Sequence, residues 1–167
     1  MKLLTTERLS LHALRDCDID NLLSIFMNEE VGKTYMVPDL SKREDGINLF
    51  NRIKTLSNSD EKFVYGIYLE NDLIGIINEV YNDGESIELG YVIDPIHKNN
   101  GYATEALKAS IKELFNVGFS KIIAGAFENN IASMRVMEKA GMKRTEIIEM
   151  VEYRGNTYNC KMYSIEK

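Results

Sequence analysis

A polar loop that leads straight into a helix is the part of this sequence best suited to bind an anion. It spans residues 94–106, with the sequence DPIHKNNGYATEA, between an apolar strand pattern and a helical pattern. The first turn of a helix offers unpaired N–H groups and the positive end of the helix dipole. Gly101 has no Cβ to keep a phosphate from the backbone, and Asn99 and Asn100 enter the left-handed region easily. Lys98 adds a positive charge at the rim, so we predict a phosphate-binding loop, with an ordinary strand-to-helix loop as the alternative.

Other chemical signatures are missing from the sequence. It contains neither GxxxxGK[ST] nor GxGxxG, which disfavours a P-loop NTPase and a dinucleotide-binding domain. His12 and His97 are isolated and show no metal-ligand spacing, so we expect no metal. Cys17 and Cys160 are the two cysteines, neither has an evident activating base, and two residues do not make a disulfide framework. We therefore expect no nucleophilic cysteine and a reducing, cytoplasmic location.

Composition and charge narrow the class of protein. The chain has 167 residues, 44% of them hydrophobic and 28% charged, which is typical of one globular domain spanning 1–167. The net charge is −6 and the pI is near 5.1, which argues against a nucleic-acid partner and is compatible with a cationic substrate. No stretch approaches the roughly 20 apolar residues of a membrane helix, so no membrane partner is expected.

The elements that must position this loop follow from hydrophobic periodicity. The pattern predicts an α/β domain with a mixed sheet of about seven strands and about four helices, in the order β-α-α-β-β-β-α-β-α-β-β. Segment 86–127 is expected to form a strand, a helix and a parallel strand. The strands are predicted at about 8–14, 62–69, 73–80, 86–93, 121–127, 142–153 and 157–165. The helices are predicted after a cap at Asp16 or Asp18, from a capping box of Ser41 and Glu44, and over 101–117 and 130–140.

Three motifs in this order resemble one family. Residues 98–103, KNNGYA, look like the acetyl-CoA signature (Q/R)xxGx(G/A) of the Gcn5-related N-acetyltransferases, the GNAT superfamily, and GYATEAL is similar to its RimJ- and RimL-like branch. Residues 6–11, TERLSL, resemble that branch's opening strand, and residues 130–142 resemble its N-x-x-S-x-R-V-x-E-K-x-G-F motif. Lys98, Asn99 and Met142 depart mildly from the pattern. Met137 stands where many members have a tyrosine general acid, and a thioether cannot donate a proton.

The resemblance implies a GNAT-like fold and acetyl-CoA as the co-substrate. It implies that the CoA pyrophosphate lies on the loop, that pantetheine runs along strand 86–93, and that a backbone N–H near Val92 or Ile93 polarises the thioester. The implied cofactor-binding residues are Val92, Ile93, Lys98, Asn99, Asn100, Gly101, Tyr102, Ala103, Thr104, Asn130 and Ser133.

Four polar side chains are candidates for the chemistry that such a transfer needs. Glu88, beside the expected pantetheine, is the first candidate for the base and Glu79 the second; the alternative for each is a solvated strand carboxylate. By resemblance, Ser133 is a candidate to protonate the departing thiolate, with a backbone-bonded helix serine as the alternative. Asn130 is expected to hold the pantetheine amides, to cap the helix, or to do both.

The acceptor stays open at this level. The resemblance implies an amine, either a protein N-terminus or a small molecule, held by helices within 16–58 and the last hairpin. These segments carry Tyr35, Asp39, Glu44, Tyr153 and Tyr158, which could suit a cationic amine or could be plain surface. A catalytically silent acyl-CoA-binding module is the alternative to an enzyme, a chance match by an unrelated α/β interaction protein is the third reading, and a homodimer is possible.

Overall fold

Eight strands form one mixed sheet in the computed structural model, which describes residues 2–167. The strand order is β1-β2-β3-β4-β5-β6-β8-β7, and β5 and β6 are its parallel pair. Strand bounds are Leu4–Thr5 (β1), Leu9–His12 (β2), Val64–Leu69 (β3), Asp72–Asn82 (β4), Ser86–Ile93 (β5), Lys121–Phe127 (β6), Lys143–Tyr153 (β7) and Asn156–Glu166 (β8). The mixed α/β architecture and the parallel crossover predicted from the sequence are confirmed.

Five α-helices cover the two faces of this sheet. They are Ile19–Met27 (α1), Glu29–Gly32 (α2), Arg43–Ser57 (α3), Tyr102–Val117 (α4) and Ile131–Lys139 (α5). One core joins the sheet to α4 and α5, through residues such as Leu107 and Met137, and a second joins it to α1 and α3, through Leu22 and Phe50. Within residues 2–167, no helix is long and apolar enough to cross a membrane.

Two short elements escaped the prediction from periodicity. Strand β1 has two residues and α2 has four, so neither spans enough chain to show a strand or helix period. They account for the eighth strand and the fifth helix. Helix α2 begins where Asn28 accepts a hydrogen bond from Glu30 N at 2.9 Å, a local cap and not a hydrophobic pattern.

Two of the predicted helix caps are wrong in detail, at the starts of α1 and α3, whereas the predicted cap at Asn130 is confirmed. Helix α3 begins at Arg43, one residue later than the Ser41–Glu44 box implied, and its N-cap residue is Lys42, whose N–H donates to Asp45 Oδ2 at 3.2 Å. Asp18 does stand at the start of α1, but its carboxylate accepts from Arg15 N at 2.7 Å and makes no cap bond.

Candidate active site

Strands β5 and β6 separate after three residue pairs, and this separation opens a cleft. Ser86–Glu88 of β5 pair with Lys121–Ile123 of β6. Beyond that point β5 continues against β4 to Ile93, whereas β6 continues against β8 to Phe127. The space between the strands belongs to a cavity of about 390 Å³. Its walls come from β5 and β6, from α2 and the residues just after it, from the loop before α4 and the first turn of α4, and from α5.

The backbone of β5 presents alternate residues to this cleft. Asp94 N donates to Ile74 O at 2.8 Å, which makes these two residues a hydrogen-bonded pair of the antiparallel β4–β5 ladder. Because hydrogen-bonded and non-bonded pairs alternate, Val92 directs its N–H toward β4 and Ile93 directs its N–H away from β4, toward the cleft. Of the two residues predicted to offer a donor, Ile93 has the suitable orientation.

The loop before α4 has the left-handed backbone that an anion-binding turn needs. Asn99 has φ 64° and Gly101 has φ 81°, and Gly101 directly precedes the first turn of α4. Asn100 does not share this conformation, contrary to the expectation for both asparagines. Its side-chain Nδ2 instead donates to the carbonyl oxygens of His97 and Lys98, both at 3.1 Å, and closes the turn.

The turn between β1 and β2 holds this loop in place through Arg8. Its Nη1 donates to the carbonyl oxygen of Asn100 at 2.9 Å, and its Nε donates to Glu105 Oε2 at 2.8 Å. Thr6 Oγ1 donates to the same Glu105 carboxylate at 2.6 Å, and the guanidinium lies 4.7 Å from the centre of the Tyr102 ring. These contacts join the motif at residues 6–11 to GYATEAL, a link that the linear sequence does not reveal.

Lys98 lies at the rim of the cleft, where the sequence predicts a positive charge, but it has an acidic partner. Its Nζ lies 2.6 Å from Glu30 Oε2 of α2. The hydrogen bond and the charge of Lys98 hold the pKa of Glu30 below its ordinary value. This ion pair bridges two walls of the cleft, the loop before α4 and helix α2. Because both side chains are at least half exposed, breaking the pair costs little free energy.

Helix α5 contributes two predicted side chains to the cleft, and β5 adds a third that the prediction missed. Asn130 caps α5 by accepting from Ser133 N at 3.1 Å, while both residues line the cavity. The Ser133 hydroxyl lies 2.8 Å from the Tyr91 hydroxyl. The alternation along β5 was the available signal, because it places Tyr91 on the face of the sheet that α5 covers.

The two carboxylates predicted as bases lie in different surroundings. Glu88 belongs to the last pair before β5 and β6 separate, and its Oε1 lies 3.8 Å from where a Cβ on Gly125 would stand. Burial, and then the charge of Glu149 on β7, raise the pKa of Glu88 above its ordinary value. The side chain of Glu79 is 2% exposed and already bound by Lys62 Nζ at 2.5 Å and Phe63 N at 3.2 Å. Glu88 is therefore the carboxylate whose environment suits a base.

The structure brings most of the predicted cofactor-binding residues together. Asn100 does not line the cleft. It stabilises the loop instead, because its backbone carbonyl accepts from Arg8 and its side chain closes the turn. Glu88, the predicted base, directly precedes Leu89, which is the first residue of β5 that lines the cleft. The cleft is lined by Val92, Ile93, Lys98, Asn99, Gly101, Tyr102, Ala103, Thr104, Asn130 and Ser133.

A second cavity of about 370 Å³ lies on the other face of the sheet, between α3, the segment after α2 and strands β3 and β4. Tyr35 lines both cavities and donates to Asn78 Oδ1 at 2.7 Å. Tyr153 fastens the segment after α2 to the last hairpin, since its hydroxyl accepts from Val37 N at 3.3 Å. Tyr158 stacks on Phe127.

Two of the predicted acceptor residues lie apart from the cavities. Asp39 and Glu44 are exposed, and neither side chain contributes to the lining of the cleft or of the second cavity. Both belong to the polar surface around the start of α3, where water satisfies their charge.

Comparisons with known proteins agree with this geometry. The chain is 31% identical to the uncharacterized N-acetyltransferase YnaD of Bacillus subtilis (strain 168) over 157 residues, which cover 93% of this chain and 91% of YnaD. A GNAT-family acetyltransferase structure from Bacillus anthracis matches with TM-score 0.85 and 27% identity, covering 99% of this chain and 98% of that one. RimL, a ribosomal L7/L12 α-N-protein acetyltransferase in complex with coenzyme A, shares the fold with TM-score 0.83 at 15% identity, over 99% of this chain and 98% of RimL.

The family follows from a match along most of the chain. The family model described as an acetyltransferase (GNAT) domain covers residues 8–143, from the arginine that contacts the loop before α4 to the start of β7. This protein therefore belongs to the GNAT acetyltransferase family.

Proposed function

We propose that this protein transfers an acetyl group from acetyl-CoA to a primary amine, by direct attack while both substrates are bound. The observation that carries the proposal is the separation of β5 and β6 beside the N-terminus of α4. It provides a channel lined by unpaired strand backbone that ends at an anion-binding turn. A thioester on a long amide-containing arm with a pyrophosphate at its far end has the matching shape and charge. The coenzyme A bound by the RimL relative supports this assignment.

The residues that would hold acetyl-CoA follow from the cleft. The backbone N–H groups of residues 99–103 would bind the pyrophosphate, with the helix dipole of α4 behind them. Outward-facing N–H and C=O groups of β5 would pair with the pantetheine amides as an added strand does. Ile93 N–H would donate to the thioester carbonyl oxygen, and Asn130 Nδ2 is the further donor beside this arm.

Acetyl-CoA supplies a thioester carbonyl carbon that a neutral amine can attack. A C–N bond forms, and the C–S bond breaks. Glu88 would accept, directly or through one water, the proton that the amine nitrogen loses. Ser133 would donate its hydroxyl proton to the departing thiolate and take a proton back from water, while Glu88 releases the amine proton to water. Holding both reactants in line supplies up to roughly 7–11 kcal/mol of the barrier reduction.

The acceptor is a primary amine of one of two kinds, a protein N-terminus or a small molecule. Both would approach from the face where Tyr35, Asn78 and the second cavity lie, opposite α4 and α5. Carboxylates at Glu88 and Glu149 would favour a cationic amine on this face. The same geometry admits either kind, so the two are separated by the assay below.

Calorimetric titration of acetyl-CoA into the wild-type protein and into Gly101→Asp tests the cofactor site. The substitution places a carboxylate at a left-handed position within the phosphate loop, so we expect micromolar binding in the wild type and none in the variant. Gly84→Asp is the matched control, because Gly84 also has positive φ and has nothing within 4 Å of a Cβ. Equal binding by Gly101→Asp would contradict the loop assignment.

Release of free thiol against a panel of N-terminal peptides and small amines then names the acceptor class. Thiol release with one of these classes supports the transferase. Binding of acetyl-CoA without release on any amine favours a silent acyl-CoA-binding module. Absence of any acetyl-CoA binding by the wild type would overturn the proposal as a whole.

A further inference from the structure

We propose that Tyr91 is a positioning residue that turns the Ser133 hydroxyl toward the departing thiolate. The inference rests on the proposed function and adds to it a residue outside the three sequence motifs. Its basis is the hydroxyl pair that β5 and α5 bring together inside the cleft.

Two different elements hold the two oxygens. Tyr91 reaches the cleft from β5, and its hydroxyl lies 2.8 Å from Ser133 Oγ and 3.1 Å from the Ser133 carbonyl oxygen. Ser133 stands in the first turn of α5, where its own N–H is bound by the Asn130 cap at 3.1 Å. The serine backbone is therefore anchored from one side and its hydroxyl is contacted from the other.

The direction of the hydrogen bond decides whether Ser133 can act. Burial raises the pKa of Tyr91 well above its ordinary value, so the phenol keeps its proton across the working pH range. The phenol has a single proton and two oxygens within reach, and Ser133 Oγ at 2.8 Å is nearer than the Ser133 carbonyl oxygen at 3.1 Å. In the proposed arrangement the phenol donates to Ser133 Oγ, which occupies one lone pair of the serine and leaves the serine proton to point elsewhere. Without that donor, a helix serine tends to donate to a backbone carbonyl of the preceding turn, which removes its proton from the reaction.

This pair also explains how the site manages without a tyrosine on α5. Met137 is fully buried in the core between α5 and the sheet and has no proton to give. The phenol in this protein enters from the opposite wall of the cleft and acts through the serine. Tyr91 thus supplies orientation, while the proton that reaches sulfur belongs to Ser133.

The test is Tyr91→Phe, which keeps the ring and removes only the hydroxyl. Provided that wild-type protein releases thiol, we expect kcat to fall about tenfold or more, and by no more than the roughly 10²–10⁴-fold that the general acid itself supplies. KM and the calorimetric Kd for acetyl-CoA should stay unchanged, because the contact concerns the leaving group and not the bound ground state. An unchanged kcat, or a loss of acetyl-CoA affinity equal to the loss of kcat, would overturn the role.

The double variant Tyr91→Phe/Ser133→Ala adds a readout that a structural role does not produce. If Tyr91 acts through Ser133, the double variant should be no slower than Ser133→Ala alone. Multiplicative losses would overturn the inference. Tyr163→Phe is the matched control, since its hydroxyl also bonds an α5 residue, Glu138 at 3.1 Å, and neither residue lines the cleft. Its kcat should match the wild type.

The same assay separates the two proposals. Thiol release by the wild type together with an unaffected Tyr91→Phe variant overturns only the role of Tyr91. Failure of the wild type to release thiol with any amine overturns the proposed transfer and the role of Tyr91 with it.

Discussion

At the scale of single residues, the site depends on side chains whose acidity is set by their neighbours. Glu88 is half-buried at the point where two strands separate, and Glu149 of β7 faces the same region. Both the loss of water and the second negative charge oppose ionisation of Glu88. Its pKa therefore moves toward the range in which a carboxylate can accept a proton from an amine and release it again.

Replacing Glu149 by Gln should lower the pKa of Glu88 only in part, because burial is the larger cause and remains. We expect the acidic limb of the kcat/KM profile against pH to move to lower pH. Glu88→Gln should reduce kcat about 10²–10⁴-fold, the usual contribution of a general base. Comparing each profile with the wild type cancels the titration of the amine itself.

Glu152→Gln is the control for this pair of variants, because Glu152 is an exposed carboxylate on the same strand. Its profile should overlay that of the wild type. A shift as large as that of Glu149→Gln would mean that the net charge of the protein, and not the proximity of Glu149 to Glu88, sets the pH of the acidic limb. Retention of wild-type kcat by Glu88→Gln would exclude Glu88 as the base.

At the scale of elements, the turn between β1 and β2 and helix α4 form one unit around the loop that precedes α4. Arg8 donates to the Asn100 carbonyl and to Glu105, and Thr6 donates to Glu105. The Glu105 carboxylate neutralises the guanidinium charge. Arg8 therefore fixes the peptide between Asn100 and Gly101 through a hydrogen bond and offers no unpaired charge that would draw a phosphate away from the loop. The loop is therefore preorganised before any ligand arrives.

Arg8→Ala should weaken acetyl-CoA binding about 10- to 100-fold, the range of a charge-assisted hydrogen bond. The fold should persist, because the side chain is 43% exposed. Lys2→Ala is the matched control, since Lys2 pairs with Glu113 of the same helix and leaves the loop untouched. Calorimetry measures the Kd for acetyl-CoA of both variants. An unaltered Kd in Arg8→Ala would show that the loop keeps its shape without the Arg8 contacts.

At the scale of the whole molecule, a buried carboxylate ties the N-terminal region to the sheet. Asp18 is 2% exposed and accepts hydrogen bonds from Arg15 Nη2 at 2.9 Å and Tyr68 Oη at 2.6 Å. Burial opposes its ionisation, but the bonds from Arg15 and Tyr68 outweigh it and hold the pKa of Asp18 below its ordinary value. Arg15 also reaches the carbonyl of Asn71 at 2.7 Å, so the network spans the turn between β3 and β4.

Asp18→Asn should lower the free energy of unfolding by about 1.5–3 kcal/mol, because it removes the charged acceptor of the Arg15 and Tyr68 hydrogen bonds. Water compensates part of the loss at Arg15, whose side chain is 40% exposed. A depressed native pKa means that the contribution is fully present above the ordinary value of 3.8 and is lost as the pH falls through the lower native value. The difference in the free energy of unfolding between wild type and variant should therefore become smaller below about pH 4.

Asp16→Asn is the control for this measurement, which is urea unfolding at a series of pH values. Asp16 pairs with Lys54 on the surface and is 91% exposed, so its loss should cost about 0–1 kcal/mol. A difference for Asp18→Asn that is small or does not change with pH would show that the buried carboxylate does not carry this stability.

Local sequence was enough for the elements that build the cleft. The bounds of β5 and β6, 86–93 and 121–127, were predicted to the residue, since each strand is a short apolar run ended by polar or turn residues. The left-handed backbone at Asn99 and Gly101 was predicted from residue type, and phosphate binding by this loop stays a prediction. The prediction failed where nearby groups offered competing hydrogen bonds. Asn100 bonds the carbonyl oxygens of His97 and Lys98, Asp18 accepts from Arg15 N, and Lys42 in place of Ser41 caps α3.

The sequence by itself determined the α/β class, the order of the long elements and the loop that precedes α4. These properties depend on the period of apolar residues and on backbone preferences, which are encoded within a few positions of each other. The three motifs added the family, because their joint order along the chain is specific.

Only the tertiary structure decided which side chains meet. It joined Arg8 to Glu105, set Tyr91 against Ser133 and placed Glu149 near Glu88. Each of these pairs is separated by tens of residues and comes from elements that approach only when the sheet is assembled. Contacts of this kind depend on packing and register, which a linear pattern of apolar and polar residues does not specify.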